Sequence, residues 1–133
     1  MACRIVGLSI NGGFIMKYAY ASKTGHVEKI VGKLGLDALK IVDGTEKIDG
    51  DYVIFTYTCG KGKTPKPVLG FLENNPGVMA VVGSGSTAKS HIETFNFGAE
   101  NIGKEYGVPV IAKLNGVGTD EDIELIKAEL AKL

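Results

Sequence analysis

Apolar positions along the chain alternate between continuous runs and helical spacing. Phe14 to Ala21 is apolar and aromatic and predicts a strand. Val27, Ile30, Val31 and Leu34 then fall at i, i+3, i+4 and i+7, one face of a helix. Leu39 to Val42 reads as a short strand ending at Asp43-Gly44, and Asp51 to Thr58 as a strand covered on both faces. Pro65 and Pro67 open a helix through Asn74 with Val68, Leu69, Phe71 and Leu72 inward. Val78 to Val82 is a further buried strand, followed by the loop Gly83-Ser84-Gly85-Ser86-Thr87. A helix from Phe97 to Tyr106 ends at Gly107, and Val108 to Leu114 is the last strand. Thr119 caps a final helix whose acidic first turn suits the helix dipole and whose Ile123, Ile126, Leu130 and Leu133 face inward.

Five strands alternating with four helices predict an α/β fold, a parallel sheet with right-handed crossovers and helices on both faces. Two readings stand for residues 1–15: a short strand followed by the Asn11-Gly12-Gly13 turn, or an N-terminal extension in front of a domain over 16–133.

Composition narrows the function. The 133 residues suit one domain, and 15 basic against 15 acidic residues give no net charge, against a non-specific nucleic-acid binder. No apolar run is long enough to span a membrane, and the first residues lack a signal-peptide pattern, so a cytoplasmic protein is the simplest expectation. Cys3 and Cys59 are too few for a disulfide framework or a structural zinc site.

In a sheet of this kind, ligands bind beyond the carboxyl ends of the strands where the winding reverses. Three of the turns expected there are rich in Gly, Ser and Thr and contain no carboxylate. In Ser22-Lys23-Thr24-Gly25-His26 two hydroxyls, a close-approach glycine, a cation and a helix N-terminus make an anion cradle, or else an ordinary capped turn. A phosphoacceptor receiver would need acids after the first strand, where Ala19-Tyr20-Ala21-Ser22 has none. Gly60-Lys61-Gly62-Lys63-Thr64 resembles the end of a P-loop, but Tyr57 stands where the leading glycine belongs. The stretch suits a flat aromatic ligand better, through Tyr57 and the backbone at Gly60 and Gly62, with Gly83 to Ser86 closing the other side. His26, His91, Phe95 and Phe97 fit core or surface roles, and no nucleophile–histidine–acid set is present, which leaves redox chemistry to a cofactor.

Four stretches in order resemble the flavodoxin-like NrdI family. They are Tyr20-Ala21-Ser22-Lys23-Thr24-Gly25-His26-Val27; Thr56-Tyr57-Thr58-Cys59-Gly60-Lys61-Gly62 with Pro65 and Gly70-Phe71-Leu72-Glu73-Asn74; Gly83-Ser84-Gly85; and Tyr106-Gly107-Val108-Pro109-Val110 with Lys113-Leu114 and Gly118-Thr119. The resemblance covers residues 16–130 and implies strand order 2-1-3-4-5 and FMN in the switch-point crevice. It implies Ser22, Thr24, Gly25, His26 and Val27 at the phosphate, and Thr56, Tyr57, Thr58, Cys59, Gly60 and Gly62 with Gly83, Ser84, Gly85 and Ser86 at the isoalloxazine. It further implies reduction of O₂ to supply an oxidant that assembles the dimanganese–tyrosyl radical centre of a class Ib ribonucleotide reductase small subunit, with electrons from a flavin reductase or other source. The sequence Ser86-Thr87-Ala88-Lys89-Ser90-His91 departs from the family's Asn-basic-Asn-aromatic pattern. A general flavodoxin and a non-enzymatic phosphate-ligand module are the alternatives.

Overall fold

A computed structural model of the chain describes residues 16–23, 25–58, 63–85 and 96–133. The elements are β1 (Lys17–Tyr20), α1 (His26–Leu34), β2 (Ala38–Lys40), β3 (Tyr52–Tyr57), α2 (Lys66–Asn74), β4 (Val78–Gly85), α3 (Phe97–Tyr106), β5 (Val110–Asn115) and α4 (Asp120–Leu130). All strand pairs are parallel and the sheet order is β2-β1-β3-β4-β5, as the sequence reading implies.

Alternation along β3 explains the two layers. Tyr52 and Ile54 face a core closed by Val68, Phe71 and Leu72 of α2 and Ala99 and Ile102 of α3. Val53 and Phe55 face the opposite core, closed by Val27, Ile30 and Val31 of α1 and Ile123 and Ile126 of α4. The strand is buried from Tyr52 through Thr56, which is why its sequence is a continuous apolar run without a polar face. The winding reverses between β1 and β3, so the crevice at their carboxyl ends is the switch point.

Several element ends differ from the sequence reading, and at β2 and β5 the reason is a backbone amide spent elsewhere. The first strand occupies Lys17–Tyr20, with one further ladder bond from the Ala21 amide to the Phe55 carbonyl at 2.9 Å; Phe14 and Ile15 lie outside the described residues. β2 stops at Lys40 because the Val42 amide donates to the Glu46 carboxylate at 2.8 Å instead of to the sheet. β4 continues past Val82 to Gly85, since Gly83, Ser84 and Gly85 pair with Lys113, Leu114 and Asn115 and a ladder does not need apolar side chains. β5 begins at Val110, because the Val108 amide closes α3 on the Gly103 carbonyl at 3.1 Å and Pro109 has no N–H.

Two side chains expected inward are instead exposed. Leu69 is 40% exposed on α2, because Val68, Phe71 and Leu72 take the sheet-facing side and the next position turns away. Leu133 is 39% exposed beyond the end of α4. The cap at Thr119 is present in full: its hydroxyl oxygen accepts from the Asp122 amide at 3.1 Å, and the Asp122 carboxylate accepts from the Thr119 amide at 2.9 Å.

The long connection from β2 to β3 lies along α2. Asn75, 3% exposed, holds it: its carboxamide accepts from the Ile48 amide and donates to the Glu46 and Phe71 carbonyls, each at 2.9 Å. The Glu46 carboxylate accepts from the amides of Val42, Asp43 and Gly44, at 2.8, 3.2 and 3.0 Å. Burial pushes the Glu46 carboxyl up, but these amides outweigh it and leave the group below the usual carboxylate range.

Candidate functional site

The turn after β1 is organised by one hydroxyl. Gly25 precedes α1 with φ of 92°, a left-handed conformation that costs glycine little, and it has no side chain with which to cap the helix. Ser22 supplies the missing oxygen from three residues back. Its Oγ accepts from the Gly25 amide at 3.1 Å and from the Glu28 amide at 3.4 Å. The leading N–H groups of a helix have no carbonyl partner within it. Ser22 serves two of them, and among the described residues the amides of His26 and Val27 and the Ser22 hydroxyl hydrogen make no bond. Val27 is buried at 2% exposure and contributes its amide rather than its side chain. Lys23 and His26 are exposed, and the His26 imidazole lies 4.0 Å from where a Cβ on Gly116 would stand, which brings the β5–α4 turn alongside.

The ends of β3 and β4 use their hydroxyls differently. Thr56 is fully buried and donates to the Tyr57 carbonyl at 3.0 Å. The Thr58 oxygen accepts from the Gly98 amide at 2.9 Å, and Ser84 donates to the Gly116 carbonyl at 2.6 Å. Thr58 thereby holds α3 and Ser84 holds the β5–α4 turn, whereas Thr56 bonds only to the carbonyl of its chain neighbour. The hydroxyl hydrogens of Thr56 and Ser84 are spent in these bonds, Thr58 only accepts, and Gly83 and Gly85 carry backbone groups alone. Tyr57 is half-buried and packs against both cores. Thr24, Cys59, Gly60, Gly62 and Ser86 lie outside the described residues, as do His91 and Phe95.

Three residues missed in the sequence complete the frame. Thr64, buried, donates to the Gly98 carbonyl at 3.0 Å, so Gly98 is gripped on its amide by Thr58 and on its carbonyl by Thr64. Gly98 itself allows α3 to approach, since a Cβ there would stand 2.9 Å from the Tyr57 carbonyl oxygen. Asn96 is fully buried with φ of 57°, the one non-glycine residue with positive φ among those described. Its Nδ2 donates to the Leu114 carbonyl at 3.2 Å, and its Oδ1 has no hydrogen-bond partner among the described residues. Asparagine directly before an expected helix is a usable signal, because its side chain tolerates the left-handed conformation better than most.

The described parts of the turns after β1, β3 and β4 contain no carboxylate and carry Lys23 and Lys63 at the surface. Glu28, in the first turn of α1, is already engaged by Lys40 and by the Tyr20 hydroxyl, both at 3.4 Å. Unspent amides at a helix start, a donatable hydroxyl and no nearby acid form the donor set that a phosphate monoester requires. Beside it, the backbone at β3 and β4 offers amides and carbonyls to a planar group, and the orphaned Asn96 oxygen lies beneath Gly83 and Gly85.

The profile described as "NrdI Flavodoxin like" matches residues 18–128. The chain is 33% identical over 120 residues to Protein NrdI of Bacillus licheniformis, which spans 90% of each protein. It is 31% identical over 122 residues to Protein NrdI of a Ruegeria species, spanning 85% of this chain and 86% of that one. Among solved structures, oxidised flavodoxin 1 from Bacillus cereus matches with a TM-score of 0.64 and 21% identity, covering 88% of this chain and 97% of that one. A short-chain flavodoxin associated with a bacterial microcompartment matches with a TM-score of 0.62 and 22% identity, covering 90% and 98%. These structural likenesses show the fold. No described helix is long and apolar enough to cross a membrane.

Proposed function

The chain belongs to the NrdI flavodoxin-like family, and from that premise we propose that it binds FMN at the switch-point edge as an electron-carrying partner of a class Ib ribonucleotide reductase. A flavin cofactor follows from the family; FMN, with its phosphate, is our reading of the β1–α1 turn. The observation that carries it is the division of labour at Ser22, whose oxygen caps α1 while the His26 and Val27 amides have no partner among the described residues, in a turn whose sequence holds no acid.

In this reading Ser22, Thr24, Gly25, His26 and Val27 hold the phosphate, with Lys23 adding charge. The segments Thr56 to Gly62 and Gly83 to Ser86 hold the ring by backbone groups. Bound FMN would supply one- and two-electron redox chemistry, and the role we propose is delivery of those electrons to O₂ to give the oxidant that assembles the dimanganese–tyrosyl radical cofactor in the manganese-loaded small subunit. Electrons come from a flavin reductase or another donor. The protein's own part is to orient the ring and fix the phosphate.

Purification should give a yellow protein with a flavin spectrum, and the released cofactor should be FMN on chromatography. The reduced protein should consume O₂ and generate a tyrosyl radical when mixed with the manganese-loaded subunit. A colourless protein that takes up no added FMN overturns the cofactor assignment. A flavoprotein that forms no radical in the mixture reduces the reading to that of a general flavodoxin.

A further inference from the structure

Helices α2 and α3 lie on the same face of the sheet, and a groove of about 660 Å³ runs between them. Its floor is apolar. Leu72 and Ile102 reach it from the core, and Leu69 lies in it with 40% of its surface exposed. The groove exists because Gly98 and Ala99 let the start of α3 sink towards the strand ends, while Leu69 stands off the sheet on α2.

The rim is cationic. Lys63, Lys66 and Lys104 line it, all are exposed, and none makes an ion pair among the described residues. Glu105 is the single carboxylate in the lining, next to Tyr106. Glu100, on the same helix, is already paired with Lys113 at 3.2 Å. What sets these three lysines apart is their place around an apolar floor that carries one carboxylate.

We propose that this groove docks an acidic segment of a partner protein, one with an apolar anchor residue between carboxylates. The floor takes the anchor and the rim lysines take the charges. A free inorganic anion gains nothing from the apolar floor. A lipid surface cannot enter a concavity, and three lysines are few for tracking a nucleic-acid backbone. The volume suits one or two side chains of a peptide rather than a flat protein face. The groove also starts at Thr64, whose hydroxyl is bonded to Gly98 at the edge of the candidate site, so a segment seated there is anchored next to that edge. The inference does not depend on FMN, because none of the groove residues is assigned to the cofactor.

The test uses the full chain as purified, with the flavin spectrum recorded separately. The probe is an acetylated, fluorescein-labelled heptapeptide, Asp-Glu-Leu-Glu-Phe-Asp-Glu, titrated by fluorescence polarisation. It should bind, with affinity falling as salt is raised. Amide chemical-shift changes should centre on Leu69, Ile102 and Lys104. The double variant Lys66→Glu/Lys104→Glu, at exposed positions that leave folding intact, should weaken binding at least about tenfold. A peptide with Ser in place of Leu and Phe should lose binding as well. The proposal is overturned by no binding, by equal binding of a lysine-for-acid peptide, by an unaffected charge-reversed variant, or by shift changes elsewhere. Inorganic phosphate or phosphatidylglycerol vesicles displacing the peptide from the groove would also overturn it, in favour of a small anion or a membrane.

Discussion

Ser22 separates the stability of the β1–α1 turn from its affinity for an anion, and two substitutions at this position should move the two quantities in different directions. Ser22→Ala deletes the oxygen that accepts from the Gly25 and Glu28 amides. Loss of such a cap costs about 1 kcal/mol of folding stability. It also deletes the hydroxyl that would donate to a phosphate, a charge-assisted bond worth about 1.5–3 kcal/mol, or roughly 10- to 150-fold in Kd. Ser22→Asp restores the cap, because a carboxylate accepts from the same amides and its charge favours a helix N-terminus. Stability of the cofactor-free protein should return to within about 0.5 kcal/mol of wild type. Affinity should fall further, since a carboxylate brought against a phosphate costs on the order of 4 kcal/mol per unit charge at an effective dielectric near 20. Urea unfolding of the cofactor-free protein should rank wild type and Asp together above Ala. Quenching of FMN fluorescence should rank wild type above Ala above Asp. An Asp variant that binds FMN like wild type refutes the phosphate placement, and an Ala variant of unchanged stability refutes the cap.

Asn75→Ala removes three hydrogen bonds at once, one buried and two partly buried, and strands the Ile48 amide and two carbonyls. It should cost about 3 kcal/mol in urea unfolding, and a loss under 1 kcal/mol would show that water replaces the side chain. Gly83→Ala places a Cβ 2.8 Å from that of Ala99 and against the Asn96 carboxamide. It should destabilise by about 2 kcal/mol in thermal or urea unfolding, and a neutral effect would mean that α3 is free to shift. Glu46→Gln weakens the bonds to three amides at a half-exposed site and should cost about 1 kcal/mol at pH 7. The folded-state carboxyl lies below its ordinary value, so the stability it contributes is complete above the usual carboxylate range and drains away as pH falls through the folded value. The gap between wild type and variant should narrow in unfolding measurements as pH falls through the ordinary carboxylate range and close below the folded-state value, and a constant gap would contradict the assignment.

The two faces were legible because β3 carries both cores in one uninterrupted run and each helix carries its apolar stripe, whereas the strand order was legible only through the family resemblance. Periodicity sees these features because each is local. It does not see where a backbone amide is spent. The end of β2 depends on a carboxylate four residues on, the start of β5 on a carbonyl in α3, and the end of β4 on pairing with residues some thirty positions later. Asn75 and Thr64 were invisible for the same reason: their partners are 27 and 34 residues distant. Ser22 was legible as part of an anion turn, but its action as cap for a glycine-led helix was not.

The hydroxyls at the sheet edge sort by chain distance, and that sorting has a physical cause. Ser22 bonds within its own turn and only accepts there, so its hydrogen is not spent on any described residue. Thr58, Thr64 and Ser84 bond to backbone 40, 34 and 32 residues away. Such long-range bonds close only once the sheet is assembled, and each fixes α3 or the β5–α4 turn against a strand end. A composition rich in Ser and Thr at the edge therefore mixes two functions, one facing a ligand and one facing the fold. Threonine and serine suit both, because a short hydroxyl that reaches backbone at close range serves equally as a brace or as a donor. Sequence alone groups these residues together; their partners separate them. Substituting the braces should therefore shift α3 and lower stability before it alters any direct contact, whereas substituting Ser22 acts on the anion turn itself.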